Sequence, residues 1–79
     1  MTLYEGQTGK NYKVTGLKLS DPVMRRLEAL GIFEGTKIHI LTKKKKGAVI
    51  IKARGARWAL GGEMAQGIEV KEYTDEEVH

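Results

Sequence analysis

The 79-residue chain contains no cysteine and only one serine, Ser20. Without cysteine it has no disulfide, no thiolate metal site and no cysteine nucleophile. Ser20 precedes a predicted helix in which Pro22 suits the first position, and either Ser20 or Asp21 is expected to cap that helix. A Ser-His-acid arrangement would also require His39, on a predicted strand, to reach that serine. The available residue types therefore argue against an enzyme, and we assign no catalytic residue.

Long apolar runs and metal-ligating side chains are equally scarce. The longest uninterrupted apolar run, residues 48–51, is far shorter than the roughly 20 residues of a membrane-spanning helix. The first ten residues lack the apolar core of a signal peptide. The two histidines are His39, expected to face solvent, and His79 at the end of the chain. We therefore predict no metal site, no cofactor and no stable membrane insertion, and we expect a cytoplasmic protein.

The net charge of +4 hides a difference between the two ends of the chain. Residues 1–67 carry thirteen lysines and arginines against five acidic residues, whereas residues 68–79 carry one lysine against five acidic residues. The basic body is compatible with an anionic partner surface or with solubility alone. The charge pattern predicts a single domain over residues 1–74, followed by a flexible acidic tail over residues 75–79.

The helix in the first half of the chain has the clearest local signals. Val23, Leu27 and Leu30 fall at positions i, i+4 and i+7, so they form one apolar stripe. Gly31 is expected to close the helix in the left-handed conformation. Ile32 would then pack back onto Leu27.

Alternating apolar residues between turn signals predict five strands, over residues 7–17, 36–42, 48–53, 57–60 and 68–73. A one-turn helix over residues 63–66 is predicted before the last strand. Five short strands joined by tight turns indicate a mainly β fold, a small five-stranded SH3-like barrel with its one short α-helix between strands 1 and 2. An OB-type barrel is the alternative, but it usually places a longer helix between strands 3 and 4.

The lysine run is the strongest electrostatic feature, and its members are Lys43, Lys44, Lys45 and Lys46. At the tip of a hairpin they would project four charges into solvent. Such a tip would suit docking to phosphate or to an acidic protein surface. Equally, lysines near a strand end discourage edge-to-edge pairing of sheets.

Three further residues are candidates for partner binding. Arg25 and Arg26 lie on the predicted helix, although Arg25 is also placed to pair with Glu28 at i+3. Trp58, on the short fourth strand, is either an exposed anchor or a filler of a small core. The aromatic residues are spread along the chain and form no stacking platform, so a basic nucleic-acid-binding barrel is the weaker alternative.

Several segments, taken in order, carry a family resemblance. They are RLEALGI at residues 26–32, Gly35-Thr36, IHIL at residues 38–41, RGARWALG at residues 54–61, and Ala65-x-x-Ile68-x-Val70. Their order and spacing resemble the FeoA family of bacterial ferrous-iron uptake. The same SH3-like domain is similar to the C-terminal domain of DtxR-type iron-dependent repressors.

The resemblance implies a non-catalytic module that docks on the cytosolic GTP-binding portion of the membrane ferrous-iron transporter FeoB. Its relation to the repressors implies transition-metal sensing as a further alternative. We expect a face bearing Arg25, Arg26 and the lysine run to meet an acidic partner surface. The lysine run and Trp58 depart from the common family pattern, so a role for them is not implied by the resemblance.

Overall fold

The computed structural model describes residues 1–73, and the predicted acidic tail at residues 75–79 lies outside the described residues. The elements in chain order are a 3-10 turn (Leu3–Glu5), β1 (Asn11–Leu17), α1 (Asp21–Ala29), β2 (Lys37–Lys43), β3 (Val49–Ala53), β4 (Ala56–Leu60), α2 (Gly62–Gln66) and β5 (Ile68–Glu72). The predicted fold class is confirmed: five strands, one helix between β1 and β2, and a short helix before β5.

The five strands form one antiparallel sheet in the order β4-β3-β2-β1-β5. The pairing register shifts between Val14 and Gly16 on β1 and between Ile40 and Thr42 on β2. Register shifts of this kind bend a strand and increase its twist. Buried residues alternate with more exposed ones along the strands, so the sheet has a buried inner face and a solvent-facing outer face.

Strand β1 begins later than the alternation predicts. Its first residue is Asn11, whereas the sequence pattern begins at Gln7. The amide of Lys10 donates to the carbonyl oxygen of Gln7 at 3.2 Å, and Gly9 has a φ of +86°. A left-handed residue in a tight turn interrupts an extended strand, so residues 7–10 form a turn instead.

The end of α1 confirms the predicted glycine stop. Gly31 has a φ of +83°, and its amide donates to the carbonyl oxygen of Glu28 at 2.9 Å. The amide of Ile32 donates to the carbonyl oxygen of Leu27 at 2.8 Å, and both side chains are buried. These two hydrogen bonds define a Schellman motif, which satisfies carbonyl groups that a helix end would leave free.

The start of α1 differs from the expected cap. Ser20 is the N-cap residue, but its side chain makes no capping hydrogen bond. A capping side chain accepts from the amide of the second or third helical residue. Pro22 occupies the second position and has no N–H to donate, so one of these two amides is missing.

The core lies on the inner face of the sheet. Tyr12 and Val14 are buried on β1, and the Tyr12 hydroxyl accepts a hydrogen bond from the amide of Gln7 at 2.8 Å. The other buried apolar side chains are Leu3, Leu27, Ile32, Ile38, Ile40, Val49, Ile51, Ala53, Leu60, Ala65, Ile68 and Val70. Every strand and both α-helices contribute to this core.

Candidate interaction surfaces

The two arginines of α1 are exposed and have no ionic partner among residues 1–73. The predicted pair between Arg25 and Glu28 is not formed. Arg26 lies in the last turn of the helix, where a cation interacts favourably with the helix dipole. Both guanidinium groups are therefore accessible to a partner.

The lysine run does not behave as a single group. The Lys43 ammonium donates to the carbonyl oxygens of Tyr4 at 2.7 Å and Gly6 at 3.1 Å. It also lies 5.4 Å from the centroid of the Tyr4 ring. Lys43 therefore joins the end of β2 to the N-terminal turn, and the expectation of four free charges is wrong for this residue.

The rest of the lysine run forms an exposed loop between β2 and β3. Lys44, Lys45 and Lys46 are all exposed, and the amide of Gly47 donates to the carbonyl oxygen of Lys44 at 2.9 Å. Within residues 1–73 no hydrogen bond, ion pair or cation–π contact joins this loop to α1. The helix arginines and the loop lysines are therefore not in direct contact, and we treat them as two basic groups.

Trp58 lies on the inner face of β4, opposite Ile51 of β3. Its side chain is half-buried and packs against the core. The indole Nε1 is buried and has no hydrogen-bond partner within residues 1–73. A buried indole normally finds an acceptor, so Trp58 fills the core at the cost of one unsatisfied donor. This placement favours the core role over the exposed anchor.

His39 is half-buried, whereas the sequence pattern places it in solvent. Its Nδ1 lies 2.7 Å from the side-chain oxygen of Asn11 on the neighbouring strand. Because an amide oxygen only accepts, Nδ1 carries the proton in this contact. Among residues 1–73 no three His, Asp or Glu side chains lie where they could hold a metal ion together.

A contact between the α1–β2 connection and the β3–β4 turn was not predicted from the sequence. Phe33 is 45% exposed, and the Arg54 guanidinium lies 5.7 Å from the centroid of its ring. A Cβ on Gly31 would lie 2.6 Å from Cδ of Arg54. Arg54 and Gly55 have φ values of +52° and +80°, which suits a two-residue hairpin turn. The turn was recognisable from Arg54-Gly55, but its contact with Phe33 depends on tertiary packing.

A groove of about 480 Å³ separates the start of α1 from the start of α2. Its lining combines apolar and charged side chains from both helices and the segments before them: Lys18, Leu19, Ser20, Val23, Gly61, Glu63 and Met64. None of the residues singled out from the sequence as partner-binding contributes to this groove.

The outer face of the sheet carries a third group of cations, which sequence reasoning missed. We call it the basic sheet face, and its members are Lys13, Lys37, Lys52, Arg57 and Lys71. Strand alternation alone places each of these side chains opposite the core. Only the strand order brings them together, because β5 pairs with β1 and not with β4.

Comparison with known proteins identifies the family. The family model described as the FeoA domain matches residues 1–72. The chain belongs to the FeoA family. The matched segment includes every helix and strand of the structure, so the family resemblance noted in the sequence is confirmed. FeoA proteins are linked to iron transport.

Solved structures agree with this assignment. The FeoA protein from Chlorobium tepidum is 28% identical, with a TM-score of 0.87 over 94% of this chain and 71% of that chain. The FeoA-like protein from Clostridium acetobutylicum is also 28% identical, with a TM-score of 0.83 over 95% of this chain and 88% of that chain. No match was found among curated proteins.

The relation to metal-dependent repressors is one of fold. The manganese regulator SloR is 16% identical, with a TM-score of 0.82 over 92% of this chain. The chain spans 34% of that repressor, so the likeness concerns one part of a longer protein. Within residues 1–73 no helix has both the length and the apolar character needed to cross a bilayer.

Proposed function

We propose that the chain is a non-enzymatic accessory protein of ferrous-iron transport that acts in the cytoplasm. It binds the cytosolic GTP-binding portion of a FeoB-like membrane transporter. The observation that carries this proposal is the FeoA-domain match over residues 1–72, which leaves only seven residues of the chain unmatched. The proposed activity is therefore that of the whole domain, and it operates by binding.

The residue types support binding over catalysis. The chain has no cysteine, and its one serine lies at the start of α1. His39 is engaged with Asn11 and has no acidic partner among the contacts of residues 1–73. Nucleophilic catalysis needs a nucleophile and a base within hydrogen-bond reach. Neither Ser20 nor His39 forms such a pair with another described residue.

The exposed positive charge on α1 supports a partner with an acidic surface. Arg25 and Arg26 are exposed without ionic partners among residues 1–73, and Arg26 begins one of the segments that carry the family resemblance. Charges at the rim of an interface mainly accelerate association and select partners. We therefore assign the docking contact to the exposed side of α1, and Lys44, Lys45 and Lys46 lie outside the proposed contact.

The test is titration of a FeoB GTP-binding domain into the isotope-labelled chain, followed by NMR. We expect shift perturbations on α1 and about tenfold weaker binding for Arg25→Glu/Arg26→Glu, which is a loss of about 1.4 kcal/mol. Lys45→Glu/Lys46→Glu changes the net charge equally and is the matched control. No perturbation at high micromolar concentration would contradict the proposal. Equal weakening by both variants would contradict the assignment to α1.

A further inference from the structure

Phe33 is the one aromatic side chain among residues 1–73 that is exposed to solvent. It is 45% exposed, whereas the preceding residue, Ile32, is fully buried in the core. Aromatic side chains and arginines are enriched in protein–protein interfaces. A single exposed apolar side chain is nevertheless normal on a protein surface, so the surroundings of Phe33 decide whether it is a binding residue.

The backbone that carries Phe33 is held by hydrogen bonds. The amide of Thr36 donates to the carbonyl oxygen of Phe33 at 3.0 Å, and Gly35 has a φ of +93°, as a tight turn with a left-handed glycine requires. The buried Thr36 hydroxyl accepts from the amide of Phe33 at 3.1 Å and donates to the carbonyl oxygen of Gly31 at 3.2 Å. The amide of Gly35 donates to the carbonyl oxygen of Val14 on β1 at 2.8 Å. Because these contacts order the turn before a partner binds, less conformational entropy is lost on binding.

Arg54, on the turn between β3 and β4, lies against Phe33. Its guanidinium is 5.7 Å from the centroid of the Phe33 ring. Its Cδ would lie 2.6 Å from a Cβ on Gly31, so the absence of a side chain at Gly31 allows this approach. Arg54 has a φ of +52°, a backbone conformation that Asn, Asp and Gly adopt more readily than arginine. The hairpin turn, the glycine after α1 and the aromatic ring therefore position this side chain together.

The Arg54 guanidinium has no anionic partner among residues 1–73. It forms no ion pair and no side-chain hydrogen bond with a described residue. Glu34, next to Phe33 in sequence, is exposed and does not pair with it. A guanidinium carries five N–H donors in a planar fork that matches a carboxylate with two parallel hydrogen bonds. The donors of Arg54 are therefore available to a carboxylate of a partner.

We propose that Phe33 and Arg54 together anchor the chain to the GTP-binding portion of the FeoB-like transporter. An apolar side chain of the partner covers the Phe33 ring, and a neighbouring carboxylate of the partner pairs with Arg54. This inference rests on the proposed function, and it names the residues that hold the complex once it has formed. Charge complementarity supports it, because Arg25, Arg26 and Arg54 are all exposed without ionic partners among residues 1–73. Phe33 also follows the end of α1 directly, so the anchor continues the proposed docking contact along the chain.

The anchor and the arginines of α1 are expected to act on different rate constants. Exposed charges at the rim of an interface change mainly the rate of association. Removing one partner of a desolvated, hydrogen-bonded charge pair changes mainly the rate of dissociation, as do most other substitutions within an interface. Binding kinetics therefore separate the two groups of residues.

The test is to measure binding of the chain to a FeoB GTP-binding domain by surface plasmon resonance. For Phe33→Ala we expect about tenfold faster dissociation, with an association rate within about twofold of the native one. Phe33→Tyr keeps the ring and should dissociate at the native rate. Because Phe33 is exposed on a turn that backbone contacts hold, both variants should fold, and their amide NMR spectra check this. Dissociation of Phe33→Ala at the native rate would overturn the proposal.

A second pair of variants tests the guanidinium itself. Arg54→Lys keeps the positive charge but removes the planar fork, and we expect about fivefold faster dissociation. Arg57→Lys is the matched control, because Arg57 is an exposed arginine of β4 with no aromatic ring beside it among the described contacts. It should dissociate at the native rate. Equal effects of the two substitutions would overturn the specific role of Arg54.

The native chain and the α1 variant distinguish failure of the anchor from failure of the proposed function. If the native chain does not bind the GTP-binding domain, the proposed function and the anchor are both wrong. If it binds, and Arg25→Glu/Arg26→Glu slows association while Phe33→Ala changes neither rate, the proposed function stands and the anchor alone is wrong.

Discussion

The two faces of the sheet differ in the kind of side chains that meet across neighbouring strands. On the inner face, Tyr12 and Val14 of β1 and Ile51 of β3 are buried against apolar neighbours. On the outer face of the same strands, Lys13 and Lys52 each face another cation across the strand. One face therefore contributes to folding stability, and the other opposes it.

The difference between the two faces separates the residues that stabilise the fold from the residues that are available for binding. Burial of apolar surface favours folding by about 25 cal/mol per Å², and the inner face supplies that surface. Opposed lysines contribute nothing of this kind, and swapping one for a neutral residue would be favourable. The cations in this arrangement therefore give the outer face an excess of positive charge that a bound anion would offset.

The largest expected effect comes from exchanging one residue on each face of β3. Ile51→Ala removes a fully buried side chain, and we expect a loss of about 2–5 kcal/mol in the free energy of unfolding. Lys52→Ala changes the adjacent, exposed residue, and we expect a change within about 0.5 kcal/mol. Urea denaturation of both variants provides the measurement. Similar losses for the two would contradict the difference between the faces.

The inner face was largely predictable from the sequence. Alternation on β1 and β2 identified Tyr12, Val14, Ile38 and Ile40 as apolar positions of half-buried strands, because successive side chains of a strand point to opposite faces. The end of α1 at Gly31 was also predictable, since a left-handed residue followed by an apolar one is a local signal.

The arrangement of charges was not predictable from local signals. Lys13 meets both Lys37 and Lys71 only because β1 lies between β2 and β5, and that order depends on the whole fold. The same holds for Lys43, whose partners Tyr4 and Gly6 come from the N-terminal turn. Candidate sites chosen by local charge density therefore included Lys43 and omitted the basic sheet face.

Lys43, unlike the lysines of the outer face, has hydrogen-bond partners, so we expect its removal to destabilise the fold. Lys43→Met removes two charge-assisted hydrogen bonds to backbone carbonyls and the contact with the Tyr4 ring. Hydrogen bonds to charged groups contribute about 1.5–3 kcal/mol. Because the Lys43 side chain is exposed, solvent weakens these contacts, and we expect a loss of about 1 kcal/mol in the free energy of unfolding. Lys45→Met is the matched control with an expected change within about 0.5 kcal/mol. Equal effects in urea denaturation would show that the contacts of Lys43 contribute nothing.

The smallest effect is expected for the lysine at the centre of the outer face. Lys13→Gln relieves its repulsion with both Lys37 and Lys71, and we expect a gain of about 0.2–1 kcal/mol in the free energy of unfolding. At 1 M salt the gain should disappear, because the screening length falls to about 3 Å. Lys44→Gln, in the exposed loop without a cross-strand partner, controls for net charge.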